Sequence, residues 1–392
     1  MNKVPSCPVG EPLAEVTSVV FDGHLVLLDE RTGRVLLYSP TGSLIWHALA
    51  AGASPAKAAI DLARVFGVPA RRIEEDIKHF IEDCEHRLRE AAETCSSQTE
   101  SIESIGWEAG ATGNASPLQW RVTLGAITFD LSFERPEWAA ALHFPLCRFA
   151  SPTTAPDVRI EVRETAEGGV SVIENGKETI SSIEPEAAFS LVRRRLVENL
   201  HPELDWLAML HAGVVATDGA AILIPGRSGS GKSTLVATLA ANDFYYFGDD
   251  FAALAVPGEA IPWPVPLSVK EASWRLVGEH YPVLSQTVAF RSRGRLAKQL
   301  HLGAASWNIP PQPVKAILFP SYSPAEETAI NSITPADALA RLLEDRIWLG
   351  FPVTREKVVA FLEWLERVPA YEMRYRDVNE AALRVPQLLK AS

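Results

Sequence analysis

Residues 220–251 read AAILIPGRSGSGKSTLVATLAANDFYYFGDDF, and the reading of the whole chain grows outward from them. Ala220–Ile224 is short and apolar, as expected of a buried strand. Gly226 to Ser233 then fits G-x-x-x-x-G-K-[ST]: Gly226, Arg227, Ser228, Gly229, Ser230, Gly231, Lys232, Ser233. Thr234–Ala241 continues as a helix, with Asn242 as its stop. Strand, glycine loop and helix in that order are the context this motif requires. At average composition the pattern arises by chance in roughly one chain of this length in a hundred.

Each residue type has a reason. Gly226, Gly229 and Gly231 permit positive φ and close backbone approach. Successive N–H groups, including those at the helix start, can then cradle a phosphate. Lys232 is expected to reach the β and γ oxygens of bound ATP, and the Ser233 hydroxyl to ligate Mg2+. Thr234 completes the expected nucleotide-binding set. Next, Phe244–Phe247 reads as a strand ending in Gly248-Asp249-Asp250, and Asp249 follows Lys232 by one helix, a turn and a strand. Paired carboxylates there suit metal binding and general-base work. Transporter-type ATPases place their acidic strand much later. Upstream, His211 precedes a strand pair, Val214–Ala216 and Ala220–Ile224, turned at Thr217-Asp218-Gly219. By spacing alone, a single His among apolar residues reads as a core residue.

The order His211-x-Gly213, glycine loop, Asp249-Asp250 resembles the HPr kinase/phosphorylase family and its phosphoenolpyruvate carboxykinase relatives. The strong likeness spans Leu210–Leu254, with weaker stretches at Pro262–Trp274, Pro313–Pro324 and Pro369–Ala382. It implies an α/β fold: a P-loop kinase core of the HPr kinase/phosphoenolpyruvate carboxykinase type with a mixed sheet. It further implies Asp249 as the base for the acceptor hydroxyl. Asp250 with Ser233 would hold magnesium, and His211 would support the acid pair. Lys270 looks like a recurrent basic position on the substrate side. Arg291, Arg293 and Arg295 cluster in a Gly-containing, loop-like stretch, suited either to clamping a transferring phosphoryl group or to a solvated turn. Thr234 stands where HPr kinases usually carry Glu, and their glycine-rich signature after the acid pair is missing. HPr as substrate and phosphorolysis are therefore not implied.

Residues 16–40 read as a hairpin and a third strand, turned at Asp22-Gly23 and Glu30–Gly33. Three helices follow: Thr41–Ala50; a second with Ser54 as cap, Pro55 first and Gly67 as stop; a third from Pro69. The third carries Ile73, Ile77, Phe80, Ile81, Cys84 and Leu88 on one stripe. Residues 27–84, with a central Trp46, resemble the PqqD-like peptide-binding domains, of α+β winged-helix-like shape. That family adds a precursor's leader peptide as a strand to its sheet edge. Plain packing or dimerisation is the alternative. DNA binding is opposed by Glu74, Glu75, Asp76, Glu82, Asp83 and Glu85.

The expected domains are 1–93 (PqqD-like), a Ser/Thr/Gly/Glu-rich linker at 94–117 and an HPr-kinase-like unit at 118–392, with 118–200 its β-rich lead-in and 201–392 its core. Strands at Trp120–Val122, Ala126–Phe133, Val158–Arg163 and Val170–Ile173 and a helix over 185–200 fill the lead-in. Helices at Pro335–Leu349 and Thr354–Val368, a strand at Tyr371–Tyr375 and a last helix at Asn379–Leu389 are expected to cover the nucleotide-binding sheet.

The 392 residues are 47% apolar and 22% charged, ordinary for a soluble globular protein. Net charge is −12, so nucleic acid and anionic membranes are poor partners. Cys7, Cys84, Cys95 and Cys147 form no C-x-x-C pair, which fits a reducing, cytoplasmic setting. Cys84, His86 and Cys95 match no zinc spacing. Neither a signal peptide nor a membrane span is expected. The function implied is an ATP- and Mg2+-dependent kinase acting on Ser or Thr of a precursor peptide held by the first domain. The alternatives are a kinase of free serine or a sugar, and a nucleotide-binding regulator without turnover. Monomer and homo-oligomer both stay open.

Overall fold

The computed structural model describes residues 16–30, 33–93, 119–136, 138, 139, 142, 146–182, 188–292, 295–344, 347–350 and 353–390. The expected 94–117 linker lies outside them. The fold is mixed α/β with several separate sheets, and two compact units divide the chain. The first takes residues 1–98 together with 333–367; the second takes 99–332 and 368–392.

In the first unit, β1 (Val16–Phe21), β2 (His24–Asp29) and β3 (Arg34–Tyr38) form an antiparallel sheet in that order. Asp22 and Gly23 both take positive φ, +48° and +75°, the turn that matches strand twist. Next come α1 (Pro40–Ala50), α2 (Pro55–Phe66) and α3 (Ala70–Glu93). Ser39 caps α1 by accepting from the Gly42 N–H, and Ser54 caps α2 by accepting from Lys57 N–H at 3.2 Å. Gly67 ends α2 in the left-handed region at φ +66°. Leu25, Leu27, Leu36, Trp46, Leu62, Ile77, Phe80 and Cys84 make one core, which buries the expected α3 stripe.

β2 is buried on both faces. Leu25 and Leu27 join the helix core, whereas Val26 and Leu28, equally buried, alternate to the other side. Helices Pro335–Leu343 and Arg355–Arg367 lie there, against β3 and β1 respectively. The Ala336 N–H reaches the Asp22 carboxylate at 3.3 Å, and a Cβ at Gly33 would come within 3.0 Å of Val353. The span 118–392 is therefore not one contiguous unit: residues 333–367 group with the N-terminal segment, where the two helices pack on its sheet. The first of these helices also stops at Leu343, short of the expected Leu349, and Ile347–Trp348 is extended.

In the second unit, β4 (Gln119–Leu124), β5 (Ile127–Phe133), β6 (Val158–Glu164), β7 (Val170–Glu174) and β8 (Lys177–Ser182) form a sheet in that order, parallel only between β5 and β6. Helix α4 (Ala188–Leu200) packs on it. The larger sheet is built from β9 (Trp206–Leu210), β10 (Ala212–Thr217), β11 (Ala220–Pro225), β12 (Tyr245–Gly248), β13 (Ala252–Ala255), β14 (Glu259–Ile261) and β18 (Gln312–Tyr322). Their order is β12-β10-β11-β18-β14-β13-β9. Ala370–Tyr375, here β20, runs parallel to β18 and pairs with β19 (Ala329–Ile333). A small antiparallel sheet, β15-β17-β16, joins Leu267–Lys270, Arg295–Leu300 and Ala289–Ser292. The last helix is α-helical only over Val378–Arg384 and continues as a 3-10 turn, because Pro386 has no N–H to give. Among the described residues no helix is long and apolar enough to cross a membrane.

Candidate active site at the glycine loop

Three chain segments meet at one end of the larger sheet, and strand direction alone explains it. β10 is antiparallel to both β11 and β12, with Ala212 opposite Pro225 and Val214 opposite Gly248. The start of β10 therefore adjoins the ends of β11 and β12, and His211, the 226–231 loop and Asp249-Asp250 converge. α5 (Lys232–Ala240) starts where the loop ends.

Glycines make this convergence sterically feasible. Gly229 and Gly231 hold φ of +97° and +90°. A Cβ at Gly231 would collide with the Tyr375 hydroxyl, and one at Gly226 would lie 2.6 Å from Ser230 Oγ. At Gly213 a Cβ would stand 2.6 Å from Val236 Cγ2 and 3.3 Å from Asp249 Oδ1. The glycine two residues after His211 thus lets β10 approach α5. Gly231 caps α5 without a side-chain hydrogen bond, and Ser230 Oγ is buried with no hydrogen-bond partner among the described residues.

Lys232 Nζ is buried and donates to Asp249 Oδ1 at 3.0 Å and to Asp250 Oδ1. Ser233 Oγ donates to Asp249 Oδ2 at 2.6 Å. His211 Nε2 lies 3.1 Å from Asp250 Oδ1. Burial separates the two carboxylates: the Asp249 side chain is 2% exposed and that of Asp250 50%. Burial and the neighbouring Asp250 charge raise the Asp249 pKa, against Lys232 and Ser233. For Asp250, burial is outweighed by Lys232 and His211, which hold it well below the usual carboxylate range. Burial would lower the Lys232 pKa, but the two acids outweigh it and raise it. Two adjacent acids are thus driven apart, one toward accepting a proton and one toward staying charged. Asp250 has φ +61°, a left-handed conformation that Asp tolerates better than most side chains.

Of the other residues singled out from sequence, Lys270 reaches the loop, donating to Ser228 Oγ at 2.7 Å. Thr234 instead pairs with Ser273 Oγ at 2.7 Å, and Arg227 is exposed. Arg291 and Arg295 sit on a β-hairpin, not a loop: Arg291 on β16, Arg295 on β17. Arg293 and the Arg291 side chain lie outside the described residues. Sequence reasoning missed Arg193. From α4 its guanidinium stacks over Phe189 at 4.0 Å and Phe251 at 4.7 Å, and it lies 3.5 Å from the Asp250 carbonyl oxygen. No motif marks it.

Residues 24–87 match the family model described as coenzyme PQQ synthesis protein D (PqqD). Residues 24–87 are a PqqD domain. Its matched span runs from β2 through most of α3, inside the first unit. Among solved structures, similarity is found to the HPr(Ser) kinase/phosphatase from Coxiella burnetii, at 10% identity over 47% of this chain and 94% of that one, with a TM-score of 0.22. No curated protein matches the chain.

Substituting Lys232→Met tests the ion cluster apart from any activity. Removing one partner of a buried pair costs about 3–5 kcal/mol. Without Lys232, the folded Asp249 pKa rises further above its unfolded value. The variant then regains stability as pH falls through that folded pKa and loses it as pH rises. Chemical denaturation should show a wider gap to the wild type at pH 8 than at pH 5. A gap independent of pH would contradict this placement of the charges.

Proposed function

We propose that the chain is a phosphotransferase of the HPr-kinase-like P-loop type. It moves the γ-phosphoryl group of ATP to a Ser or Thr hydroxyl of a peptide recruited by the PqqD domain. The observation that carries this reading is the cluster of Lys232, Asp249, Asp250 and His211 at the mouth of the glycine loop.

The residues suit a nucleoside triphosphate. The loop is kept clear of side chains at Gly229 and Gly231, the α5 N–H groups have no side-chain cap, and Lys232 supplies a permanent charge. Ser233 and Asp250 would hold magnesium, which neutralises charge on the phosphate oxygens. Among the described residues no set of three His, Cys, Asp or Glu is grouped for a metal. In this reading the ion is held by one carboxylate, one hydroxyl and the phosphates rather than by a protein cage.

Asp249 is the base. It takes the proton of the acceptor hydroxyl, whose oxygen forms the new bond to the γ phosphorus while the bond to the bridging oxygen breaks and ADP leaves. Its raised pKa favours proton acceptance. His211 holds Asp250 in place, and Lys232 stabilises the phosphate charge. Peptide capture by the PqqD domain raises the local acceptor concentration, so that weak binding at the site suffices.

Incubation with γ-labelled ATP, Mg2+ and candidate precursor peptides tests the reading. Label is expected on a peptide Ser or Thr. ATP binding with no transfer to any peptide would overturn it, and transfer to free serine or a sugar would replace its acceptor.

A further inference from the structure

β11, β18 and β20 run parallel, and their C-terminal ends lie side by side. Ligands of open α/β sheets bind beyond such ends. β11 ends in the glycine loop, β18 in Tyr322 and β20 in Tyr375, and Tyr322 is in register with Tyr375. Sheet order puts β10 and β12, with the acids and His211, on one side of β11, and the two tyrosines on the other. A nucleotide whose terminal phosphates point toward Asp249 and Asp250 therefore extends its nucleoside toward Tyr322.

The two tyrosines are held differently. Tyr375 is buried and its hydroxyl donates to the Gly231 carbonyl at 3.2 Å. Tyr322 is 51% exposed. Its ring stands edge-on to Tyr375, with centroids 5.8 Å apart at 62°, and its backbone N–H donates to the Ser230 carbonyl at 3.0 Å. An aromatic ring is thus fixed against the loop yet left open to solvent. Among the described residues of this unit the other exposed aromatic, Tyr245, starts β12 and so stands at the opposite end of the sheet.

We propose that Tyr322 is the platform on which the base of the bound nucleoside triphosphate stacks. This rests on the nucleotide reading given above and adds to it the side of the loop on which the nucleoside lies. Stacking on a flat ring accounts for an aromatic held rigidly by its backbone with one half uncovered.

Calorimetric titrations of the full chain with ATP and with inorganic tripolyphosphate, both with Mg2+, test it. Tyr322→Ala should weaken ATP about tenfold. Tripolyphosphate, which has no base, should change less than twofold, and Tyr322→Phe should bind ATP within twofold of wild type. ATP affinity unchanged in Tyr322→Ala would overturn the proposal. So would an equal loss for tripolyphosphate, since that would mean Tyr322 only supports the loop. Wild-type protein that binds neither ligand would overturn the nucleotide reading itself, and the stacking role with it.

Discussion

Asp249→Asn is expected to lower phosphoryl transfer by about 10³-fold, within the range that a positioned general base contributes, while ATP affinity changes only a few-fold. The asymmetry follows from the geometry. Asparagine keeps the shape of the side chain and an oxygen for Lys232, which now donates to Oδ1 at 3.0 Å, while its amide N–H can donate to the Ser233 Oγ that now gives to Oδ2 at 2.6 Å. What it lacks is the ability to take a proton. Affinity depends on the loop amides and on Lys232, both retained. Single-turnover transfer of labelled phosphoryl group, beside a calorimetric ATP titration, separates the two. A variant with unchanged transfer would exclude Asp249 as base and turn attention to Asp250. Equal losses of binding and transfer would instead mark Asp249 as a support of the loop.

The part of this site that could be read from sequence is the part that lies within one βαβ stretch. Lys232, Ser233, Asp249 and Asp250 are joined by one helix and one strand, so their meeting follows from local structure. Their electrostatic division does not. It comes from the surroundings of each acid, burial and the Asp250 charge acting on Asp249 and Lys232 with His211 acting on Asp250, which only packing decides. His211 illustrates the step between. Its motif is visible, but the reason for Gly213 appears only when Val236 is found where a Cβ would go. Arg193 and Tyr322 carry no local signal, since each reaches the loop region from a distant segment through sheet topology. The 289–300 hairpin was obscured by its charges: Arg291, Arg293 and Arg295 around Gly294 suggest a turn, yet Ala297 and Leu300 of the second strand are buried.

The apolar stripes of 335–343 and 355–367 show a related limit. Periodicity says that a face is buried and is silent about its partner. Here the partner is the far face of the β1–β3 sheet, and this sandwich bears on the most direct test of peptide recruitment. Removing residues 1–93 is expected to strip the helices Pro335–Leu343 and Arg355–Arg367 of their sheet. Leu339, Leu342, Val358, Phe361, Leu362 and Leu365 are all buried in the intact chain. Re-exposing even two such side chains costs about 3–6 kcal/mol, a large share of the usual 5–15 kcal/mol of net stability. The truncated protein should therefore bind a hydrophobic dye, melt at lower temperature and aggregate. Unchanged melting with no dye binding would contradict the sandwich. Loss of peptide phosphorylation on truncation would then be ambiguous, because a collapsed helix pair could cause it. Competition in the intact chain avoids that. An excess of the same peptide with its acceptor Ser or Thr replaced by Ala should suppress labelling of the wild-type peptide, with ATP affinity unaltered. Free serine or a sugar as true acceptor would be labelled regardless of the competitor, and that result would reduce the PqqD domain to a packing role.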